Sequence, residues 1–398
     1  MKRLTQRLLR HGRALVKVTL IAVPVGVLLL YRLTTLTPGL SPDEASIAHH
    51  GVSLQSMYSS PLNLPLHFLQ WLCFGAWHSH SLWLVRLPDV ILAAAALVIF
   101  ALLLRRWYGM RTALFGSVLL AFSPWFLHVG RTAGVGAEQL FAIPMAVFAL
   151  VHLNRDFAKT WAFYGSAVVL SLLLYVPGMA WFIGVALVLQ ILDVKDGLKH
   201  LSTWWKRLLY PLAWLLPATL LIWALVRTPS LWRSWLALPM HFDTPLAILK
   251  HVGSGLAAFV WHGPNNPALW LDRLPILNVF TIAMVLVGIL FYARHWLAPR
   301  TRLLFIFFVI SMALYAVDSS TSFNFAVPLV YSVAAAGIGY LMHEWLTVFP
   351  RNPLARGVGT VLIVSALALS CLYNVRQYYV AWPHNPRVQA VFQHPNQL

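Results

Sequence analysis

Asp43 and Glu44 stand side by side in Ser41-Pro42-Asp43-Glu44-Ala45, shortly after the first apolar run of a 398-residue chain that holds only 11 acidic residues. Ionisable groups are costly beside a bilayer, so an acid pair at its edge marks either chemistry or a helix start. A carboxylate there is suited to taking a proton from a hydroxyl. Ser41-Pro42-Asp43 also reads as the start of a surface helix, with Asp43 as its cap. His49 and His50 follow, and Asp43 with His50 has the two-turn spacing of a metal pair. Two consecutive histidines cannot both face one ion from a helix, which favours a wet surface role. Arg86 and Asp89 are three apart and read as a helical ion pair at the membrane edge, in preference to a role in donor binding. Cys73 and Cys371 fit neither a disulfide framework nor a metal cluster and read as packing residues.

These residues need elements to hold them, and the composition says which. A hydrophobic fraction of 60%, a charged fraction of 10% and a mean hydropathy of +0.72 require repeated apolar spans of roughly 20 residues. The fold class is all-α and polytopic. The formal charge of +18 would suggest nucleic acid in a water-soluble chain. Here most Lys and Arg fall in short loops between spans, where they set topology, and no nucleic-acid partner is implied.

Apolar runs place eleven helices, near 14–32, 82–104, 112–128, 136–153, 161–175, 178–192, 208–226, 276–293, 303–317, 325–342 and 357–373. With the N-terminus in the cytoplasm, most of the 29 Lys and Arg residues fall on the inner side. The stretch 161–192 is long for one span and tight for two. Val176-Pro177-Gly178 supplies a breaker and a turn, and two spans keep the basic segment 193–207 inside. The basic N-terminus reads as a retained anchor without a cleavage site. Residues 1–377 form a single membrane domain, and 378–398 form an outer tail. Two outer segments, 33–81 and 227–275, are too long to be connectors, with surface helices at Ala45 to Met57, Leu62 to Trp77 and Leu231 to Leu238. Asp43, Glu44, Asp89, Glu138, Asp243, Asp272 and Asp318 fall on or near the outer face.

Four elements then carry a resemblance. They are Pro38-Gly39-Leu40-Ser41-Pro42-Asp43-Glu44-Ala45, Pro61-Leu62-Asn63-Leu64-Pro65-Leu66-His67-Phe68-Leu69, Val85-Arg86-Leu87-Pro88, and Ser123-Pro124-Trp125-Phe126-Leu127-His128-Val129-Gly130-Arg131-Thr132-Ala133. In this order they resemble bacterial polytopic glycosyltransferases of the GT-C superfamily, relatives of protein O-mannosyltransferases and of aminoarabinose transferases acting on lipid A. The resemblance covers about residues 30 to 150. It implies a large first outer loop with surface helices, a polyprenyl-phosphate-linked sugar donor, and a lipid, glycan or protein acceptor. It also implies Asp43 as general base, with Glu44 in a supporting role and inversion at the anomeric carbon. Such a transfer needs a proton acceptor and positive charge on the departing phosphate.

Arg131 is then suited to the donor phosphate, and Glu138 to sugar hydroxyls or a metal; an Arg131 to Glu138 ion pair joining two helices is the other reading. The family often places an acid nearer the Arg, where this chain has Gly134-Val135-Gly136. In the second outer segment, Arg227 and Arg233 among Trp232, Trp235, Trp261 and Trp270 suit a phosphate and a sugar or prenyl face. Trp also belongs at membrane interfaces in any case. His241, Asp243, His262, Asp272 and Arg273 complete that set, with Arg376 and Tyr378 further on. Metal use differs within the family, and a divalent metal is left unassigned.

A transporter or flippase for a lipid-linked sugar would string charges through several spans, whereas the charged candidates here gather at one face. A non-catalytic component of surface-polysaccharide assembly is the remaining alternative, and the acid pair speaks against it. The sequence therefore points to a bacterial cytoplasmic-membrane enzyme working at the outer face.

Overall fold

The computed structural model describes residues 23–37, 39–42, 44–45, 47, 53–77, 81–155, 160–199, 203–317 and 323–392. Asp43, His49, His50 and Asp318 lie outside these. No β-strand occurs among the described residues. After a helical segment at 23–30, the helices are α1 (Leu54–Ser59), α2 (Leu64–Trp77), α3 (Leu82–Tyr108), α4 (Met110–Ala121), α5 (Pro124–Val129), α6 (Gly136–Arg155), α7 (Thr160–Leu173), α8 (Met179–Leu189) and α9 (Ile191–Lys199). The chain continues through α10 (Trp204–Arg227), α11 (Leu231–Trp235), α12 (Pro245–Val260), α13 (Val279–Arg294), α14 (Pro299–Val317), α15 (Ala326–Val348), α16 (Pro353–Arg376), a π-helical turn (Gln377–Ala381) and α17 (Pro386–Val391).

The starts of many helices are written locally. Ser123, Thr244, Asn352 and Asn385 each cap a helix with a side-chain oxygen, and each is followed by proline at the first helical position. That position has no intrahelical use for an N–H, and the ring pre-sets φ, so proline costs nothing there.

Five segments are long and apolar enough to cross a membrane: Leu82–Tyr108, Trp204–Arg227, Pro299–Val317, Ala326–Val348 and Pro353–Ala381. Shorter apolar helices, including α4, α6, α7, α8 and α13, accompany them. The chain is an integral, multi-pass, all-helical membrane protein.

The stretch 161–192 is broken into two helices, α7 and α8. α7 runs alongside α10 in the same direction, because Tyr164 donates to the Lys206 carbonyl, Ser171 to Trp214 and Tyr175 to Pro217. The chain then turns at Gly178, whose φ of +84° suits only glycine without strain. α8 departs in the opposite sense along α14, with Gly178 near Leu314 and Phe182 against Phe307.

α15 is the central helix, with 72% of its apolar window buried against 28% for Trp204–Arg227 and for Pro353–Ala381. Its run Ala334-Ala335-Ala336-Gly337-Ile338-Gly339 is the reason. In lipid, helices associate by close packing, and small residues let backbones approach. A Cβ built on Gly337 would fall 2.0 Å from the Met284 carbonyl oxygen of α13, and one on Gly288 would fall 2.1 Å from the Val333 carbonyl oxygen. On another face, Gly116 of α4 meets Ala335, and Gly339 meets Thr112.

Gly337→Ala is expected to lower the melting temperature of the detergent-solubilised protein through an overpacking cost of about 1–3 kcal/mol. Gly165→Ala, on α7 with nothing within 4 Å of the new methyl, is expected to hold or raise it, since alanine is the better helix former. A thermal-unfolding comparison of the two variants checks the sign difference.

Candidate active site

The segment after residues 23–30 begins a helical turn at Ser41-Pro42. Ser41 N–H donates to Glu44 Oε2 at 3.0 Å, and Glu44 N–H donates to Ser41 Oγ at 3.2 Å. This is a capping box, with Ser41 at the N-cap position, so the cap lies two residues earlier than the sequence reading placed it.

The same Glu44 carboxylate does more than cap. Arg86 Nε donates to its Oε1 at 2.7 Å and Arg86 Nη2 to its Oε2 at 3.0 Å, a bidentate pair with side chains 3% and 0% exposed. Ala133 N–H adds a bond to Oε1 at 3.2 Å. Arg86 also donates to the Leu33 carbonyl and to Thr37 Oγ1. One ion pair thus ties residues 33–44, the start of α3 and the loop after α5 together. The expected Arg86 to Asp89 pair is not formed. Glu44, held at the first turn of a capped helix, presents both oxygens to the guanidinium, a geometry that the i,i+3 spacing on α3 does not provide.

Asp89 sits one turn deeper on α3 and is fully buried. Its Oδ1 accepts from Gly134 N–H at 3.3 Å, and its Oδ2 makes no hydrogen bond. Glu138, in the first turn of α6, is also fully buried; its Oε1 accepts from Leu66 N–H of α2 at 3.3 Å, and its Oε2 has no partner. Arg131 does not pair with Glu138. It is 2% exposed, donates through Nη2 to the Tyr31 carbonyl, and lies against the rings of Tyr378 and Tyr379 at 5.2 and 4.9 Å. Its Nε and Nη1 are buried without a hydrogen-bond partner. Buried polar atoms are almost always satisfied, and a local concentration of unsatisfied ones is the mark of a site built for something other than stability.

Aromatic residues close the cluster. His128 touches Trp270, Tyr378 and Trp382 at ring distances of 5.6, 4.6 and 4.4 Å. Tyr378 stacks on Trp382, and Trp125 Nε1 donates to Asn324 Oδ1, whose amide reaches Gln139. Residues 377–392 are held down further by Tyr379 donating to the Leu28 carbonyl and by Asn385 donating to Asp272. A polar pocket of about 520 Å³, lined by Arg32, Thr35, Thr37, His384 and Gln389 among others, reaches the Thr37 that Arg86 holds.

The structure therefore gathers Glu44, Arg131 and Glu138, with Arg86, Asp89, His128 and Tyr378 beside them. It does not bring Arg227 and Arg233 to this cluster. Both are exposed: the Arg227 guanidinium lies over Trp223 of its own helix, and Arg233 donates to the Met240 carbonyl. Asp243 faces His251, and Asp272 faces Arg387. Among the described residues no group of three or more His, Cys, Asp and Glu is placed to hold a metal ion. The spacing of Asp89 favours an ion pair with Arg86 over donor binding, and Asn324 and Gln139 carry no signal in the sequence that separates them from ordinary core polar residues.

Breaking a desolvated pair leaves the surviving charge buried alone. Glu44→Ala and Arg86→Ala are each expected to destabilise the protein by roughly 3–5 kcal/mol. The double variant should lose clearly less than the two losses added. Denaturant unfolding of the four proteins in one detergent checks this, and strict additivity would show that the two side chains do not interact.

No protein-family model matches this chain, and no curated protein sequence matches it. The likeness lies in solved structures. ArnT from Cupriavidus metallidurans in the apo state superposes with a TM-score of 0.53 and 14% identity over 95% of this chain and 77% of that one. The structure of the same ArnT bound to undecaprenyl phosphate gives a TM-score of 0.50 and 13% identity over 94% and 76%. The chain shares the fold of these two structures.

Proposed function

We propose that the chain is a membrane glycosyltransferase that moves a sugar from a polyprenyl-phosphate-linked donor to a hydroxyl of a lipid, glycan or protein acceptor. The observation that carries this reading is the buried cluster itself. In one end of a GT-C-type fold it combines an acid-bearing capped turn with an arginine, Arg131, that keeps two buried donors free of protein partners. A phosphate oxygen is the natural acceptor for such donors. The likeness to an ArnT solved with undecaprenyl phosphate fits a donor of that class.

In this reading Asp43, adjacent in the chain to Glu44, takes the proton from the acceptor hydroxyl. The acceptor oxygen attacks the anomeric carbon, the bond from that carbon to the phosphate oxygen breaks, and the polyprenyl phosphate leaves with the electron pair. Attack opposite to the leaving group inverts the centre. Arg131 steadies the phosphate, and Glu138, with one oxygen unpaired, meets sugar hydroxyls. Glu44 keeps the turn that carries Asp43 in place through its bonds to Ser41, Arg86 and Ala133.

Sidedness follows from charge. Helix direction alternates so that the cluster lies at one end of the bundle. Arg105, Arg106, Arg111, Lys195, Lys199, Lys206, Arg207, Arg294, Arg300 and Arg302 fall at helix termini and connections of the other end. The positive-inside rule then supports a cytoplasmic basic end, a catalytic end on the outer face, and the eleven-span arrangement with its N-terminus inside.

Asp43→Asn keeps the side-chain shape and removes the base. With a polyprenyl-phosphate sugar donor, its turnover is expected to fall by at least about a hundredfold. Arg131→Lys, which loses the planar fork, is expected to weaken donor use by roughly tenfold. Wild-type turnover by the Asn variant would overturn the assignment of the base. Solute uptake into sealed vesicles without glycosyl transfer would favour a transporter instead.

A further inference from the structure

At the end of the bundle away from the acid cluster, α13 and α14 splay apart over α15. They leave an apolar groove of about 370 Å³, walled by Ile289, Tyr292, Trp296, Phe305 and Val333 among others. Ile289, Trp296 and Phe305 are 49–52% exposed. In a bilayer such a surface meets acyl chains, so a lipid tail is the solvent that fills it.

Phe291 and Arg300 adjoin the groove residues Tyr292 and Thr301 in the chain. Tyr108, Phe291 and Tyr340 form an aromatic platform of mutually inclined rings, with Phe291 edge-on to Tyr108 at 6.3 Å and tilted against Tyr340 at 5.7 Å. The Arg300 guanidinium rests over Tyr108 and Phe291 at 5.2 and 5.6 Å. Arg294 lies over Tyr340 at 5.8 Å and donates to its hydroxyl, and His295 packs on Phe291. Tyr108 and Tyr292 share a hydroxyl hydrogen bond that links platform to groove. Among the described residues neither Arg294 nor Arg300 has an acidic partner. Arg300 Nη1 also donates to the Trp107 carbonyl at 3.4 Å, and the five N–H donors of a guanidinium leave others for an anion.

We infer that this platform and groove form a binding site for one anionic phospholipid of the leaflet on that side. Its phosphate sits between Arg294 and Arg300, and one acyl chain lies in the groove. Cations between transmembrane helices recognise acidic head groups in this way, and each Arg near the surface contributes a comparable electrostatic share. The site lies apart from the acid cluster, and the inference does not depend on the transfer reaction.

The test uses the full-length protein stripped of lipid in neutral detergent. Phosphatidylglycerol and phosphatidylcholine of matched chains are added separately, with bound lipid counted by native mass spectrometry and stability followed by melting temperature. Wild type is expected to take one phosphatidylglycerol in preference to phosphatidylcholine and to melt higher with it. Arg294→Gln with Arg300→Gln should weaken phosphatidylglycerol on the order of tenfold and erase the preference. Ala293→Trp, which fills the groove while keeping both arginines, should weaken both lipids. Equal response of wild type to the two lipids, an unchanged preference in the double variant, or undiminished phosphatidylglycerol binding in the Trp variant would each overturn the inference.

Discussion

The Glu44 to Arg86 pair is the constraint on which the rest of this end of the molecule depends. Two charges taken fully out of contact with solvent tolerate each other only when their hydrogen-bonding capacity is met. Here the carboxylate accepts from the guanidinium, from Ser41 N–H and from Ala133 N–H. The arginine donates onward to Leu33 and Thr37. The pair therefore fixes three separate stretches of chain in one register, and it does so beside Asp43 in sequence.

Around that clamp the unsatisfied groups are distributed unevenly. Asp89 and Glu138 each use one oxygen on a backbone N–H, while Arg131 spends one nitrogen on a backbone carbonyl and two ring faces on its burial. The residues that close over Arg131 come from the far end of the chain: Tyr378 and Tyr379 follow directly on α16, and Trp382 stacks behind them. Arg131 and Glu138 do not pair with each other. Their separation, with donors and acceptors left facing inward and unused, is the arrangement expected where a ligand supplies the missing partners.

Much of this was legible in the sequence, for a physical reason. The four elements read as a resemblance meet at one place: Glu44 from the first, the Leu66 N–H from the second, Arg86 from the third, Arg131 and the Ala133 N–H from the fourth. Apolar runs mark the helices because a bilayer favours them, and Val176-Pro177-Gly178 marks the break between α7 and α8, where Gly178 takes a positive φ. Pairings across long sequence distances were not legible. Local spacing favoured Asp89 for Arg86, and packing gave it Glu44, 42 residues away. Arg227 and Arg233 have the right chemistry by type, yet they sit on exposed surface. The helix α12 went unread within the second outer segment, although Thr244-Pro245 announces its start.

The central claim is that the buried cluster receives the donor phosphate. The most direct measurement is an experimental structure of the protein in a bilayer mimic with undecaprenyl phosphate added. The account predicts phosphate density within hydrogen-bonding distance of Arg131 Nε and Nη1, beside the Glu44 to Arg86 pair. Ordered phosphate at any other place, with the Arg131 nitrogens left without it, would contradict the account.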